Sequence, residues 1–248
     1  MTTGLPTSTA REVYDQWHER LEVDAEADAL WHQMIKARLR PTEDLQNRRI
    51  LDIGCGRGGF ACWLARHEAA PREVVGCDFS GSAVEKAKSF AKTIGVDNMR
   101  WYTADIQSLS QFQDGEFDTI TSTETVEHVP DPLLAISELA RVLKPGGRLY
   151  LTTPNYFSTI GLLRLYVTFV RRRKWDECGQ PIVHWTMLPR TRRWISAAGL
   201  RIIETNSTGH YLPFPGRPPI RVRFLESPQV LMKWLGLHSL IVAEKRKS

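Results

Sequence analysis

Apolar residues along this chain follow two rhythms. Short continuous runs rich in β-branched residues alternate with longer stretches in which apolar positions recur every three or four residues. The first rhythm predicts strands buried on both faces, and the second predicts amphipathic helices. The runs are Ile50 to Ile53, Val74 to Phe79, Met99 to Ile106, Phe117 to Ser122, Leu149 to Leu151, Leu200 to Thr205 and Leu237 to Ala243. Helices are predicted from Gly59 onward with Phe60, Trp63 and Leu64 inward, over 82–94 with Gly95 as the stop, over 131–143, and over 191–198 before Gly199. The helix after Asp131 has the clearest ends: Asp131 caps it, Pro132 suits the first turn, and Lys144-Pro145-Gly146-Gly147 closes it. Strands and helices in this alternation argue for an α/β fold with a parallel, doubly wound sheet.

The flanks read differently. Val13, Tyr14, Trp17, Leu21, Leu30, Trp31, Met34, Ile35 and Leu39 fall at helical spacings that end before Pro41. Trp17 and Trp31 are expected to pack these helices onto the sheet, which leaves Tyr14 and Trp17 as minor site candidates. Ile160 to Arg173 predicts a helix with a narrow polar stripe, Gly161, Arg164, Thr168, Arg171 and Arg172, and a broad apolar face. It runs on into Arg173-Lys174-Trp175. Two readings stand together here: a cap helix packed on the core and a dimer partner, or a segment that touches a membrane surface or a lipid. Leu212 to Pro219 is a proline-rich insertion expected as ordered loop, and Lys245-Arg246-Lys247 as a solvated tail.

Composition narrows the class. At 248 residues the chain suits one α/β domain with additions. Its 4 cysteines, Cys55, Cys62, Cys77 and Cys178, form no C-x-x-C pair, and reduced intracellular thiols are expected. Met1 to Pro6 lacks the basic and apolar regions of a secretory signal and reads as a disordered lead-in. The longest apolar tract, 160–170, is too short for a bilayer and is interrupted by Arg164. A cytoplasmic protein is expected, with peripheral membrane contact through 160–175. The net charge of +5 is small, which argues against nucleic acid as a partner, although much of the positive excess lies beyond residue 160.

The chemistry concentrates where the first strand turns. Ile50-Leu51-Asp52-Ile53-Gly54-Cys55-Gly56-Arg57-Gly58-Gly59-Phe60 is a strand, a glycine turn and a helix start, so backbone can approach a nucleotide-like ligand closely. Gly54, Gly56 and Gly59 also fit the G-x-G-x-x-G spacing of dinucleotide enzymes, which leaves a nicotinamide-dependent oxidoreductase as an alternative. Asp52 would repel a pyrophosphate but accept from an ammonium, and no Gly-Lys-Ser/Thr phosphate cradle is near. The loop therefore suits a zwitterion better than a polyanion. Asp78, ending the second run, is placed for a ribose diol.

From these motifs the chain resembles the class I S-adenosylmethionine-dependent methyltransferases, within them the O-methyltransferases of ubiquinone biosynthesis; the likeness is good over 45–155 and looser elsewhere. The resemblance implies a Rossmann-like, mostly parallel seven-stranded sheet with an antiparallel last strand and helical lid and cap insertions. One domain over 1–248 would comprise lid helices in 1–44, a cofactor-binding core in 45–155, and acceptor-side caps in 156–190 and 207–235. It implies S-adenosylmethionine as cofactor, bound by Asp52, Gly54, Cys55, Gly56, Gly58, Asp78, Phe79, Ser80, Asp105, Ile106 and Thr123. In that family the position of Asp105 accepts from the adenine amino group.

Glu124-Thr125-Val126-Glu127-His128, after the fourth strand, lies at the sheet edge where open α/β folds bind ligands. With His184 it resembles the divalent-metal site of two methyltransferase groups acting on catechols and on terminal ribose diols of RNA. Glu124, Glu127, His128 and His184 would then hold Mg²⁺ or Mn²⁺. Without a metal, His128 or His184 would be the general base. The leading expectation is O-methylation of a small aromatic, quinone-like or isoprenoid acceptor in a pocket lined by Trp175, Trp185 and Phe214. Metal-dependent RNA 2′-O-methylation, using basic segments 171–174 and 190–193, is an alternative, and a non-catalytic relative that binds a partner through the basic helix is another.

Overall fold

Each predicted run forms a strand in the computed structural model, which describes residues 7–172, 184–214, 217–226 and 234–247. In chain order these are β1 (Arg49–Ile53), β2 (Glu73–Asp78), β3 (Met99–Thr103), β4 (Phe117–Thr123), β5 (Leu143–Pro154), β6 (Leu200–Thr208), the short strands β7 (Tyr211–Phe214) and β8 (Arg217–Arg221), and β9 (His238–Lys245). Seven of them build one sheet in the order β3-β2-β1-β4-β5-β9-β6. β1 to β5 are parallel, and β9 runs antiparallel between β5 and β6.

The runs are continuously apolar because successive residues feed two cores. Leu51, Ile53, Val75, Ile120 and Leu149 pack on one face with Ile136, Leu139 and Ile195. Ile50, Val74, Tyr150, Leu240 and Val242 pack on the other with Ile35, Leu45 and Leu64. Each such side chain contributes about 1.5–3 kcal/mol when buried. The helices are α1 (Thr7–Glu19), α2 (Leu30–Lys36), α3 (Gly59–Ala65), α4 (Gly81–Thr93), α5 (Pro132–Val142), α6 (Thr159–Leu165) and α7 (Leu188–Ala197). Asp131 caps α5 as expected, its Oδ1 accepting the N–H groups of Leu133 and Leu134 at 3.0 Å.

The helices expected within 11–40 form as α1 and α2, and the intervening Glu22-Val23-Asp24-Ala25-Glu26 segment crosses the glycine turn. A Cβ on Gly59 would lie 1.9 Å from the Asp24 carbonyl oxygen, so only glycine permits that crossing. The 160–173 helix is shorter: after α6 the chain makes a π-helical turn over Tyr166–Val170. The proline-rich insertion is a two-stranded ribbon, β7 against β8, not a loop. Among the described residues neither strand pairs with a third, so proline's missing N–H costs no sheet hydrogen bond on the outer side.

Arg164 does not belong to a solvated stripe. It is only 7% exposed, and its guanidinium sits 4.5 Å from the Tyr156 ring and 4.9 Å from Trp185. Cys55, Cys62 and Cys77 are buried and free. Among the described residues no helix is long and apolar enough to cross a membrane. Met1 to Pro6, Arg173, Lys174, Trp175, Cys178 and the Phe214 side chain lie outside the described residues.

Candidate active site

The sheet order reverses between β1 and β4, and at the carboxyl ends of those strands an α/β sheet leaves a crevice. The glycine turn closes one side of it. Gly54 and Cys55 donate their N–H groups to the Cys77 carbonyl at 2.8 and 2.9 Å, tying the turn to β2. Gly58, in left-handed conformation at φ 82°, starts α3. Asp78 completes the turn: one carboxyl oxygen accepts from Gly56 N–H and the other from Ser80 N–H. Burial pushes this carboxyl up, against the pull of those N–H groups and of the Arg57 guanidinium.

Asp52 is buried at the end of β1. Among the described residues only the Thr121 hydroxyl donates to it, at 2.6 Å. Burial raises it to about 7, with Asp78 adding to the shift and Thr121 opposing it. A buried carboxylate with one donor has acceptor capacity left, and a cation reaching it would favour its charged form. Asp105, just after β3, lines the crevice and accepts the Gln107 N–H through Oδ1 at 2.9 Å, while the Gln107 side-chain amide donates to Oδ1 at 3.3 Å and to Oδ2 at 3.4 Å.

The crevice opens into a cavity of about 720 Å³. Nine of the eleven expected cofactor residues line it: Asp52, Gly54, Cys55, Gly56, Asp78, Phe79, Asp105, Ile106 and Thr123. Carboxyls at the β1, β2 and β3 ends, with Phe79 and Ile106 as apolar walls, form a set of acceptors that fits S-adenosylmethionine: acids for its ammonium, ribose hydroxyls and adenine amino group, and apolar surface for the ring.

Two expected residues serve the fold instead. A Cβ on Gly58 would meet Ala87 Cβ at 2.6 Å and Trp101 at 2.8 Å, so Gly58 allows α3 to pack on α4 and β3. The Ser80 hydroxyl caps α4 through Ala83 N–H and donates to Asp15, so it is turned from the cavity.

The sequence reading also missed cavity residues. His18 of α1 has its Nδ1 3.0 Å from Arg57 and its Nε2 4.0 Å from Asp78, and burial lowers it to about 4. Nothing in its helical spacing separates it from a packing residue. Tyr14 does face the cavity, edge-on to Phe79 and to His128.

At the far end stand Glu124, Glu127, His128, Tyr156, Arg164 and His238. Glu124 follows β4 with its backbone at φ 47°, and its Oε2 lies 2.9 Å from His238 Nδ1. Glu127 is 1% exposed, and neither of its oxygens has a hydrogen-bond partner among the described residues. Burial, and then the charge of Glu124, push it well above the usual carboxylate range. His128 Nε2 is 3.7 Å from Glu127 Oε1.

The expected four-residue metal set does not assemble. Among the described residues no group of three or more His, Cys, Asp or Glu is placed to hold an ion. His184 is the reason in part. Its Nε2 lies 2.9 Å from the Pro130 carbonyl oxygen, and its N–H donates to the Glu127 carbonyl. Glu124 is engaged by His238, so the donors face different partners. His184 also does not line the cavity, which removes it as a base; it braces the 127–130 loop from outside. Trp185, expected in the acceptor pocket, lies behind Arg164 and Tyr156 and not in the lining.

A family model described as "Methyltransferase domain" matches residues 51–151. A ubiquinone biosynthesis O-methyltransferase from Alkalilimnicola ehrlichii is 34% identical over 170 residues, covering 62% of this chain and 66% of that protein. A protein of the same name from Coxiella burnetii is 32% identical over 174 residues, covering 68% of this chain and 70% of that one. The chain thus spans about two thirds of the length of these curated relatives. A solved S-adenosylmethionine-dependent methyltransferase from Methanosarcina mazei, 23% identical, superposes with a TM-score of 0.59 over 87% of this chain and 98% of that one, and shows the same fold.

Proposed function

This chain belongs to the S-adenosylmethionine-dependent methyltransferases, and we propose that it methylates a hydroxyl oxygen of a small aromatic, quinone-like or isoprenoid-bearing acceptor. The observation that carries this reading is the far end of the cavity. One buried and one half-buried carboxyl and two imidazoles there meet a wall of Tyr14, Trp31 and Tyr156, a mixture suited to an aromatic ring that carries hydroxyl groups. Relatives bearing the name ubiquinone biosynthesis O-methyltransferase support the same acceptor class.

The cofactor supplies an electrophilic methyl group when bound. The chain's own residues do the rest by placement. Asp78 and Asp105 hold the nucleoside, and Asp52 takes the ammonium. Phe79 and Ile106 exclude water from the ring. Glu127, whose carboxyl burial pushes well above the usual range, lines the cavity where it can hydrogen-bond an acceptor oxygen and so fix the acceptor's orientation. The RNA reading loses its premise because the metal ligands do not come together, and neither it nor the nicotinamide reading gains support from the family comparison.

Leu162, Phe169 and Val170 are 56%, 68% and 66% exposed, and these apolar side chains favour peripheral contact of the cap with a lipid surface.

The test is transfer of tritiated methyl from S-adenosylmethionine to a panel of phenols, catechols and amines, with and without a chelator. Label on oxygen of a phenol or catechol supports the reading. Label on amines alone overturns it.

A further inference from the structure

His238 is an imidazole that no motif singled out, and it occupies the acceptor end of the cavity. It opens β9, where its backbone pairs with Pro154 of β5 on one side and Thr208 of β6 on the other. The ring lies against Trp31, with centroids 5.0 Å apart. A strand held on both sides and an indole on one face leave the imidazole little freedom.

Its Nδ1 is 2.9 Å from Glu124 Oε2. A carboxylate only accepts, so the hydrogen of this bond is on Nδ1 and the neutral ring presents a lone pair at Nε2. No hydrogen bond from Nε2 to another described residue is present. Glu124 is itself fixed, since its N–H donates to the Thr152 carbonyl at 3.1 Å and its backbone sits in the left-handed region that non-glycine residues seldom occupy. Such backbone conformations are found where surrounding structure over-determines a functional side chain.

We propose that His238, oriented by Glu124, takes the proton from the acceptor hydroxyl. The proposal rests on the O-methylation reading above. The acceptor O–H bond breaks and its proton passes to Nε2 of His238. The oxygen lone pair forms the new bond to the methyl carbon, and the electron pair of the breaking S–C bond stays on sulfur, so the sulfonium becomes a neutral thioether. The imidazolium that results lies beside the Glu124 carboxylate, which stabilises its charge. His128, the other imidazole at this end, has its Nε2 3.7 Å from Glu127 Oε1, beyond hydrogen-bond range.

Two measurements test this. In the native protein saturated with S-adenosylhomocysteine, imidazole nitrogen-15 NMR, with the His238 signal assigned through His238→Gln, should show the Nδ1–H tautomer, and Glu124→Gln should abolish that preference. An Nε2–H tautomer in the native protein overturns the proposal whatever the acceptor. With 4-tert-butylcatechol as probe, His238→Gln should lower kcat roughly 100-fold or more, while KM and S-adenosylhomocysteine affinity stay within about twofold. The deficit should narrow as pH rises toward the ionisation of the catechol itself, because hydroxide then replaces the lost base. Turnover retained in His238→Gln but lost in His128→Gln overturns the assignment and leaves O-methylation standing. No turnover of any phenol or catechol by the native protein overturns both.

Discussion

Asp78 reaches across the glycine turn and accepts the Gly56 N–H at 2.8 Å, while its other oxygen accepts the Ser80 N–H at 2.9 Å. The same carboxyl therefore shapes the turn and faces the cavity. Replacing it with alanine removes the acceptor proposed for the ribose hydroxyls and loosens the Gly56 peptide together. Hydrogen bonds to charged groups contribute about 1.5–3 kcal/mol, so Asp78→Ala should weaken S-adenosylhomocysteine binding by roughly 10- to 150-fold in a calorimetric titration. Affinity equal to the native protein would remove Asp78 from the site.

The buried Asp52 gives the fold a pH dependence of unusual sign for a carboxylate. Its folded value is raised to about 7, so between about pH 4 and pH 7 the folded state holds a proton that the unfolded chain has released. The contribution of this group to stability is fully present below the unfolded value, falls as pH rises through that window, and levels off above about 7. Asp52→Asn should gain on the native protein in denaturant midpoint as pH is raised, by at most about 1.4 kcal/mol per pH unit. A constant difference between the two proteins across that range would show that Asp52 does not titrate there.

Gly58 separates a structural role from a binding one. Alanine there meets a left-handed backbone, φ 82°, and a 2.6 Å contact with Ala87 Cβ. Conformational cost and overpacking together predict a loss of roughly 2–4 kcal/mol in denaturant unfolding. Cofactor affinity of the folded fraction should be unchanged. A variant as stable as the native protein would contradict the packing described between α3, α4 and β3.

His184 yields the opposite outcome to a catalytic histidine. Since its ring meets the Pro130 carbonyl outside the cavity, His184→Ala should cost about 1 kcal/mol of stability and leave kcat within about twofold. A large fall in kcat with stability intact would return His184 to the chemistry.

What was legible in the sequence was local. Asp52 and Asp78 lie at the carboxyl ends of their strands and Gly54, Gly56 and Asp105 just beyond one, and a strand's carboxyl end is fixed by the run that leads to it. The cap of α5 was equally plain, because Asp131 and Pro132 act on neighbouring backbone. The far end of the cavity was not legible. His238 meets Glu124 across 114 positions, and that pairing depends on β9 entering the sheet beside β5, which no spacing reveals. Arg164 looked like part of a polar stripe because helical periodicity says nothing of the Tyr156 and Trp185 rings that cover it. The metal reading failed for a related reason: the order of Glu124, Glu127, His128 and His184 along the chain does not decide which carbonyl or imidazole each one meets.

The most direct test of the whole account is a crystal structure of the protein with S-adenosylhomocysteine. The account predicts the ligand in the cavity with its ribose hydroxyls on Asp78, its adenine amino group at Asp105, its ammonium at Asp52, and its sulfur facing the end that holds Glu124 and His238. A ligand bound elsewhere, or in the cavity with its sulfur turned away from Glu124 and His238, would contradict it.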